Sequence, residues 1–375
     1  MKTLIFDIVL SGHHLEYLHH YYMGAINKHE NNYIFVIPPS FEQIKDKYNW
    51  PLTDNVTFEY IKEEELKLVS NSNIYKNGWN ASKILNKYVR RNQPDKVLLT
   101  MLMQYIPFIV FLLPSYVRVR GIMYKIYLYE QKRMSKIRLY AEKVRFMIAS
   151  HSKIIEDIFV LNDKDSARIF NEIYNTSKFK YLPDPIPSIN KNELRDLRED
   201  LDIAKDDTIY LHFGGLDKRK GTLDILNAIV NSTDKNIFCN KTIIFAGKIA
   251  KSIMKDFYSL LPQAKEQTNI LVFDEFCSYE YLYNLCYTCD IILMPYHMTN
   301  LSSGVLGYAA LFNKPVIGPS DGLIGMLIKG NNLGITLESI NTQSITNAFK
   351  ENITIGSNNY INKNSINEFC RIILS

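Results

Sequence analysis

The chain reads as an α/β protein of two doubly wound domains facing one cleft, and three observations lead there. Its 375 residues exceed the size at which one core usually keeps growing. Short apolar runs alternate with longer periodic ones through both halves, the rhythm of parallel strands covered by helices. Around 181–190 the run LPDPIPSIN concentrates Pro and turn residues, which marks a boundary. The expected domains are 1–185 and 186–355, with 356–375 forming a last helix that packs back on the first domain.

In the first half, strands are expected near 2–9, 32–37, 56–60, 96–100, 117–123 and 156–161, because these are short runs rich in Ile, Val, Phe and Leu. Helices are expected near 14–28, 77–92, 101–113, 129–147 and 163–174, where the apolar spacing lengthens. The second half repeats the pattern, with strands near 207–213, 241–246, 269–273, 290–294, 315–318 and 333–336. Helices fall near 191–200, 220–231, 249–261, 278–287, 303–313, 321–328 and 341–350.

The apolar content of 46% and aromatic content of 12% supply packed cores. The start, MKTLIFDIVLSGHH, reads as a buried strand and not as a secretory leader, so a cytoplasmic location is expected. The greasiest segment, 101–117, is interrupted by Gln104, Pro107 and Pro114 and is short for a bilayer span. It reads as a core helix, with partial insertion at a membrane surface as the alternative. Cys239, Cys277, Cys286, Cys289 and Cys370 form an odd set and indicate no disulfide framework.

A net charge of +5 is modest, but residues 116–153 gather Arg118, Arg120, Lys132, Arg133, Lys136 and Arg138 against only Glu130 and Glu142. Such a field attracts anionic lipid or a phosphorylated substrate; a merely solvated helix face is the other reading. No nucleic-acid module accompanies it, and no nucleic acid is expected as a partner. Nor does any carboxylate and histidine spacing suggest a metal site.

Two loops suit phosphate. Ile209 to Leu226 runs from a strand through Gly214-Gly215 and a basic turn, Lys218-Arg219-Lys220, into a helix. Leu301 to Ser320 places Ser302, Ser303 and Gly304 at the start of another. Backbone amides at a helix start hold phosphate without a metal. Lys220 supplies the cation for a leaving nucleoside diphosphate, or is a solvated lysine at a helix start; the serines are phosphate ligands or ordinary N-caps.

These pieces, with Phe245-Ala246-Gly247-Lys248, Asp290 to Pro295 and Asn313-Lys314-Pro315-Val316-Ile317, resemble the nucleotide-sugar-binding domain of the GT-B glycosyltransferases, particularly the retaining glycosyltransferase family 4. The likeness spans most of 207–336. It departs at the arginine after the first glycine, which falls on Gly215, and at two glutamates eight positions apart, which fall approximately on Asn300 and Tyr308. The resemblance implies two Rossmann-like domains and a UDP- or GDP-linked nucleotide-sugar donor without a metal or other cofactor. It further implies Asp274 to Ser278 beside the base, and retention at the anomeric carbon.

In the first domain, Ser11-Gly12-His13-His14 follows a strand. The resemblance puts Gly12 near the donor phosphate or the acceptor; His13 and His14 can donate hydrogen bonds or carry a proton, or cap the helix. The expected activity is sugar transfer to a hydroxyl of a glycan or lipid-linked oligosaccharide in surface-polysaccharide biosynthesis, peripheral on the inner face of the membrane. The alternative is a noncatalytic partner protein that binds a nucleotide sugar or glycan.

Overall fold

Among the described residues every strand pairing is parallel, so each strand is reached by a crossover that lays a helix on the sheet. The computed structural model describes residues 1–10, 13–70, 73–186, 189, 194–355 and 359–375. It divides into two units, Met1–Pro183 with Ile366–Ser375, and Asp184–Ser365.

The first unit contains β1 (Lys2–Phe6), α1 (His13–Ile26), β2 (Asn32–Ile37), α2 (Phe41–Ile44), β3 (Val56–Tyr60), α3 (Glu63–Lys67) and α4 (Ile74–Asn92). There follow β4 (Lys96–Leu99), α5 (Ile109–Leu112), β5 (Arg118–Met123), α6 (Lys136–His151), β6 (Ile155–Leu161), α7 (Lys164–Tyr174) and β7 (Phe179–Leu182). The sheet order is β3-β2-β1-β4-β5-β6-β7, which reverses direction between β1 and β4. Helix ends follow local chemistry: the Asp163 side chain caps α7 and Asn175 closes it in the left-handed conformation.

The second unit runs β8 (Thr208–Phe213), α8 (Thr222–Val230), β9 (Lys241–Ala246), α9 (Lys251–Lys265), β10 (Asn269–Phe273), α10 (Tyr279–Thr288) and β11 (Ile291–Leu293). It continues with α11 (Gly304–Leu311), β12 (Val316–Pro319), α12 (Gly322–Gly330), β13 (Gly334–Leu337), α13 (Thr342–Ala348) and α14 (Tyr360–Lys363). Its order is β10-β9-β8-β11-β12-β13, reversing between β8 and β11. The chain then returns to the first unit as α15 (Ile366–Ile373), where Phe369 stacks on Tyr21 of α1 at 5.7 Å.

The short helices α2, α3 and α14 were not expected, and four further elements differ from the expectation. The span 101–113 is not one helix: it holds a single 3-10 turn at Leu102–Gln104 and then α5. Pro107 lacks an N–H and disfavours the helical region for the residue before it. The helix expected from 129 begins at Lys136, because Ser135 is extended and its side chain accepts from the Arg138 amide. Of the helix expected at 191–200, residues 191–193 lie outside the described residues and 194–200 are not helical. There the Arg195 and Leu197 amides donate to Asn284 and Thr288 side chains, replacing helical bonds. Strand β7 was absent from the expectation, being only four residues long before Pro183.

Candidate functional site

In open parallel sheets ligands bind beyond the carboxyl ends of the strands, where the strand order reverses. In the second unit that place lies between β8 and β11, and the loops leaving these strands are tied together. The His297 amide donates to the Arg219 carbonyl at 2.8 Å, and the Lys220 ammonium lies 5.4 Å from the centre of the Tyr296 ring.

Behind the loops, His212 anchors the strand ends. Its Nδ1 donates to the Leu293 carbonyl at 2.9 Å, which leaves Nε2 to accept from the Thr222 hydroxyl at 3.0 Å. The ring therefore links β8, β11 and the first residue of α8. Burial pushes its pKa down to about 4, against the opposing pull of the Leu293 carbonyl, so it is neutral and serves the scaffold.

Above this scaffold Gly214 ends β8 with φ +97°, its amide donating to Ala246 at 2.9 Å. Lys220 folds back over it, with Nζ 3.4 Å from the Phe213 carbonyl. Among the described residues no carboxylate forms an ion pair with Lys220, whose ammonium is held by a carbonyl and a ring face. The turn that presents it is capped by Asp217, which accepts from the Lys220 amide at 3.1 Å and from Arg219 Nε at 2.9 Å. Arg219 is thereby committed to Asp217, Lys218 is exposed, and Gly215 faces open space.

The second phosphate-compatible loop arrives from β11. Ser302 donates to the Asp184 carboxylate at 2.6 Å. Ser303 is the N-cap residue of α11, in an extended conformation, and its side chain makes no capping hydrogen bond. One turn into α11, Tyr308 packs edge-on against Phe213 at 5.4 Å and stacks on Tyr283 at 5.7 Å. That contact brings the α11 start, with Gly304 as its first residue, to the end of β8. Asn300 is 2% exposed, and among the described residues neither polar atom of its side-chain amide has a hydrogen-bond partner.

Asp274 follows β10 and accepts from the Ile249 amide at 2.9 Å, from Lys248 and from Tyr258. Partial burial would raise its pKa, but these donors prevail and hold it below the usual range. It joins the loops after β9 and β10. Ser278 is the N-cap of α10, accepting from the Tyr281 amide at 3.2 Å, so its oxygen already has a structural use.

In the first unit Gly12 and the His13 side chain lie outside the described residues. His14 donates from Nδ1 to Asp7 at 2.7 Å. Asp7 was hidden inside the expected strand 2–9; an acid in an otherwise apolar run was the available signal. Tyr296 and Thr222 were also missed, and no local pattern distinguishes them. Tyr105 is 2% exposed and edge-on to Phe6, a packing residue. His20 is buried and its pKa is pushed down to about 4, chiefly by burial. His151 sits at the end of α6, bonded to the Met147 carbonyl. No group of three or more metal-ligating side chains occurs among the described residues.

No protein-family model matches the chain, and no curated protein matches its sequence. Solved structures do resemble it. The Anabaena protein HepE in complex with UDP and glucose is 14% identical with a TM-score of 0.63, covering 100% of this chain and 94% of its own. WaaG, a glycosyltransferase involved in lipopolysaccharide biosynthesis, is 13% identical at TM-score 0.65, with 100% and 94% covered. A glycosyltransferase from Rickettsia africae is 14% identical at 0.64, with 100% and 96% covered. Similarity at this level is similarity of fold. With two parallel sheets, each flanked by helices, the chain has the GT-B-like glycosyltransferase fold.

Proposed function

We propose that the protein is a glycosyltransferase that moves a sugar from a UDP- or GDP-linked donor to a hydroxyl of a glycan or lipid-linked glycan in surface-polysaccharide biosynthesis. One observation carries this reading: the Lys220 ammonium above Gly214, without a carboxylate ion pair among the described residues, at the switch point of the second sheet and beside the α11 start. A departing nucleoside diphosphate gains negative charge as its bond to the sugar breaks. A fixed cation and helix-start amides stabilise that charge without a metal. Gly214, Gly215, Lys218, Ser302, Ser303 and Gly304 border the same place in this reading. HepE in complex with UDP-glucose and MnaA of S. aureus with UDP make UDP-linked donors the first to try.

The acceptor reading draws on α6, whose Ile137 and Tyr140 are 84% and 71% exposed among the exposed Lys136, Arg138 and Lys143. An apolar pair framed by bases suits the anionic inner face of a membrane, where a lipid-linked acceptor would be met. The resemblance to family 4 implies retention at the anomeric carbon.

A noncatalytic, nucleotide-sugar-binding reading is favoured by Asn300 and Tyr308, since neither supplies a carboxylate. One experiment separates the two. The purified protein is screened for thermal stabilisation by UDP, GDP and their common sugar conjugates without metal, and the best donor is offered with a panel of glycan acceptors. Stabilisation with transfer supports the enzyme; stabilisation without transfer supports the binding protein. No shift with any nucleotide and no transfer would sink both.

A further inference from the structure

The loop beyond β10, residues 274–278, is fastened at both ends and leaves two side chains projecting. At its start the Asp274 carboxylate accepts from the Ile249 amide at 2.9 Å and from the Tyr258 hydroxyl at 3.2 Å, and it pairs with the Lys248 ammonium at 3.2 Å. At its end Cys277 is 7% exposed and the Ser278 side chain caps α10. Between them Glu275 is exposed and Phe276 is 73% exposed. The Glu275 backbone carbonyl accepts from the Cys277 thiol at 3.9 Å, which turns the chain inward after the pair. Among the described residues the Glu275 carboxylate has no ion pair and no side-chain hydrogen bond, and Lys248 is already taken by Asp274.

This pair stands where a nucleoside would reach. The order β10-β9-β8 puts the end of β10 two strands from the end of β8, about 10 Å at ordinary strand spacing, and Lys220 folds over Gly214 at the end of β8. A diphosphate held there carries its ribose and base over a similar distance. Toward β11 the way is closed: His297 bonds to the Arg219 carbonyl and to Asp224 of α8, and Tyr308 packs on Phe213. Toward β10 it is open, because Gly247 ends β9 without a side chain and Gly215 has nothing within 4 Å of a Cβ position. Of the large apolar side chains this unit exposes among the described residues, Phe276 is the most exposed. A ring face at that place is a platform on which a base can stack.

We propose that this loop selects guanine: Phe276 stacks on the base, Glu275 accepts from its Watson–Crick edge, and the donor is a GDP-linked sugar. The inference rests on the glycosyltransferase reading and narrows its donor from UDP or GDP to one of them. Guanine presents two adjacent donors, N1–H and the N2 amino group, and a carboxylate offers two oxygens that only accept. The match is bidentate and charge-assisted, the stronger kind of hydrogen bond. Uracil presents one N–H between two carbonyl oxygens, so a carboxylate that takes this proton faces a carbonyl on either side. Cytosine and adenine each set a single amino donor beside a ring-nitrogen acceptor, whose lone pair opposes the second carboxylate oxygen. Because the loop is already fixed at Asp274 and at Cys277-Ser278, little ordering is lost when the base arrives.

Isothermal titration of the full chain with GDP, IDP, UDP and CDP, without metal, tests this. GDP should bind about tenfold or more tightly than UDP or CDP, and IDP, which lacks the N2 amino group, about tenfold more weakly than GDP. Glu275→Gln should erase the preference, lowering GDP affinity about 10- to 100-fold while leaving UDP affinity unchanged. Phe276→Ala should weaken all four nucleotides by a similar factor, about 5- to 150-fold for one stacked base, without altering their order. Both side chains are exposed, so the variants should keep the unfolding midpoint of the parent. UDP bound as tightly as GDP, or a Glu275→Gln protein that still prefers GDP, overturns the inference and leaves the transferase reading intact. Failure of every nucleotide and of its sugar conjugates to bind overturns that reading, and this one with it.

Discussion

The Lys220 ammonium occupies the space that a side chain on Gly214 would need: a Cβ built there lies 2.6 Å from Nζ. The glycine just after β8 and the lysine in the turn before α8 are thus one device. Gly214→Ala should displace the ammonium and strain a backbone at φ +97°, costing about 1 kcal/mol of stability. Donor affinity should fall by a factor similar to that in Lys220→Ala, about 10- to 100-fold for a lost charge-assisted hydrogen bond. Isothermal titration with the preferred donor nucleotide checks both. Full affinity in Lys220→Ala would remove the lysine from the phosphate site.

Gly247 and Gly215 form a contrasting pair. Gly247 ends β9 with φ +136°, and a Cβ there would lie 1.9 Å from the Gly214 carbonyl oxygen, which is backbone and has nowhere to move. Around Gly215 nothing lies within 4 Å. Gly247→Ala should cost more than about 3 kcal/mol, from conformational strain plus the overlap. Gly215→Ala should stay within about 0.5 kcal/mol. Urea unfolding of the two variants side by side would expose an error in the loop geometry if their midpoints coincide.

Two buried histidines predict a stability loss in acid. His20 and His212 each have their pKa lowered from 6.5 to about 4, mainly by burial. Above pH 6.5 they are neutral whether folded or unfolded. As pH falls from 6.5 towards 4 the unfolded chain binds protons that the folded one refuses, so stability declines. Each histidine contributes about 3 kcal/mol to that decline. One lies in each unit, so unfolding of both should respond. Urea midpoints that stay flat from pH 7 to 4.5 would contradict the burial of these rings.

The parallel-sheet architecture and the β8–α8 loop were legible because their determinants are local. Apolar runs, Gly214 at a strand end and Lys220-Gly221 before a helix lie within a few residues of one another. Part of what the sequence concealed depends on distant partners, and part on local detail. Asp7 meets Thr100 across 93 positions, so an acid in an apolar run looked like part of a strand. Ser278 carried the right polarity for a base-binding loop, yet its oxygen is used by the Tyr281 amide. Along 101–113 apolar content resembled a helix, and Pro107 decided otherwise because one missing N–H outweighs general greasiness.

The outer face of α6 yields the last prediction. Ile137 and Tyr140 are 84% and 71% exposed, so they contribute little to the core, and Lys136, Arg138 and Lys143 surround them in sequence. If this face meets a membrane, Ile137→Glu combined with Tyr140→Glu should abolish co-sedimentation with phosphatidylglycerol vesicles while leaving the unfolding midpoint within about 0.5 kcal/mol. Apolar insertion and electrostatic attraction then act together. Neutral phosphatidylcholine vesicles should bind the parent protein weakly, and salt at 0.5 M should weaken binding to the anionic ones because it shortens the Debye length to about 4 Å. Binding of parent and double variant to equal extents would transfer the contact elsewhere on the protein, and binding unaffected by salt would deny the basic residues any part in it.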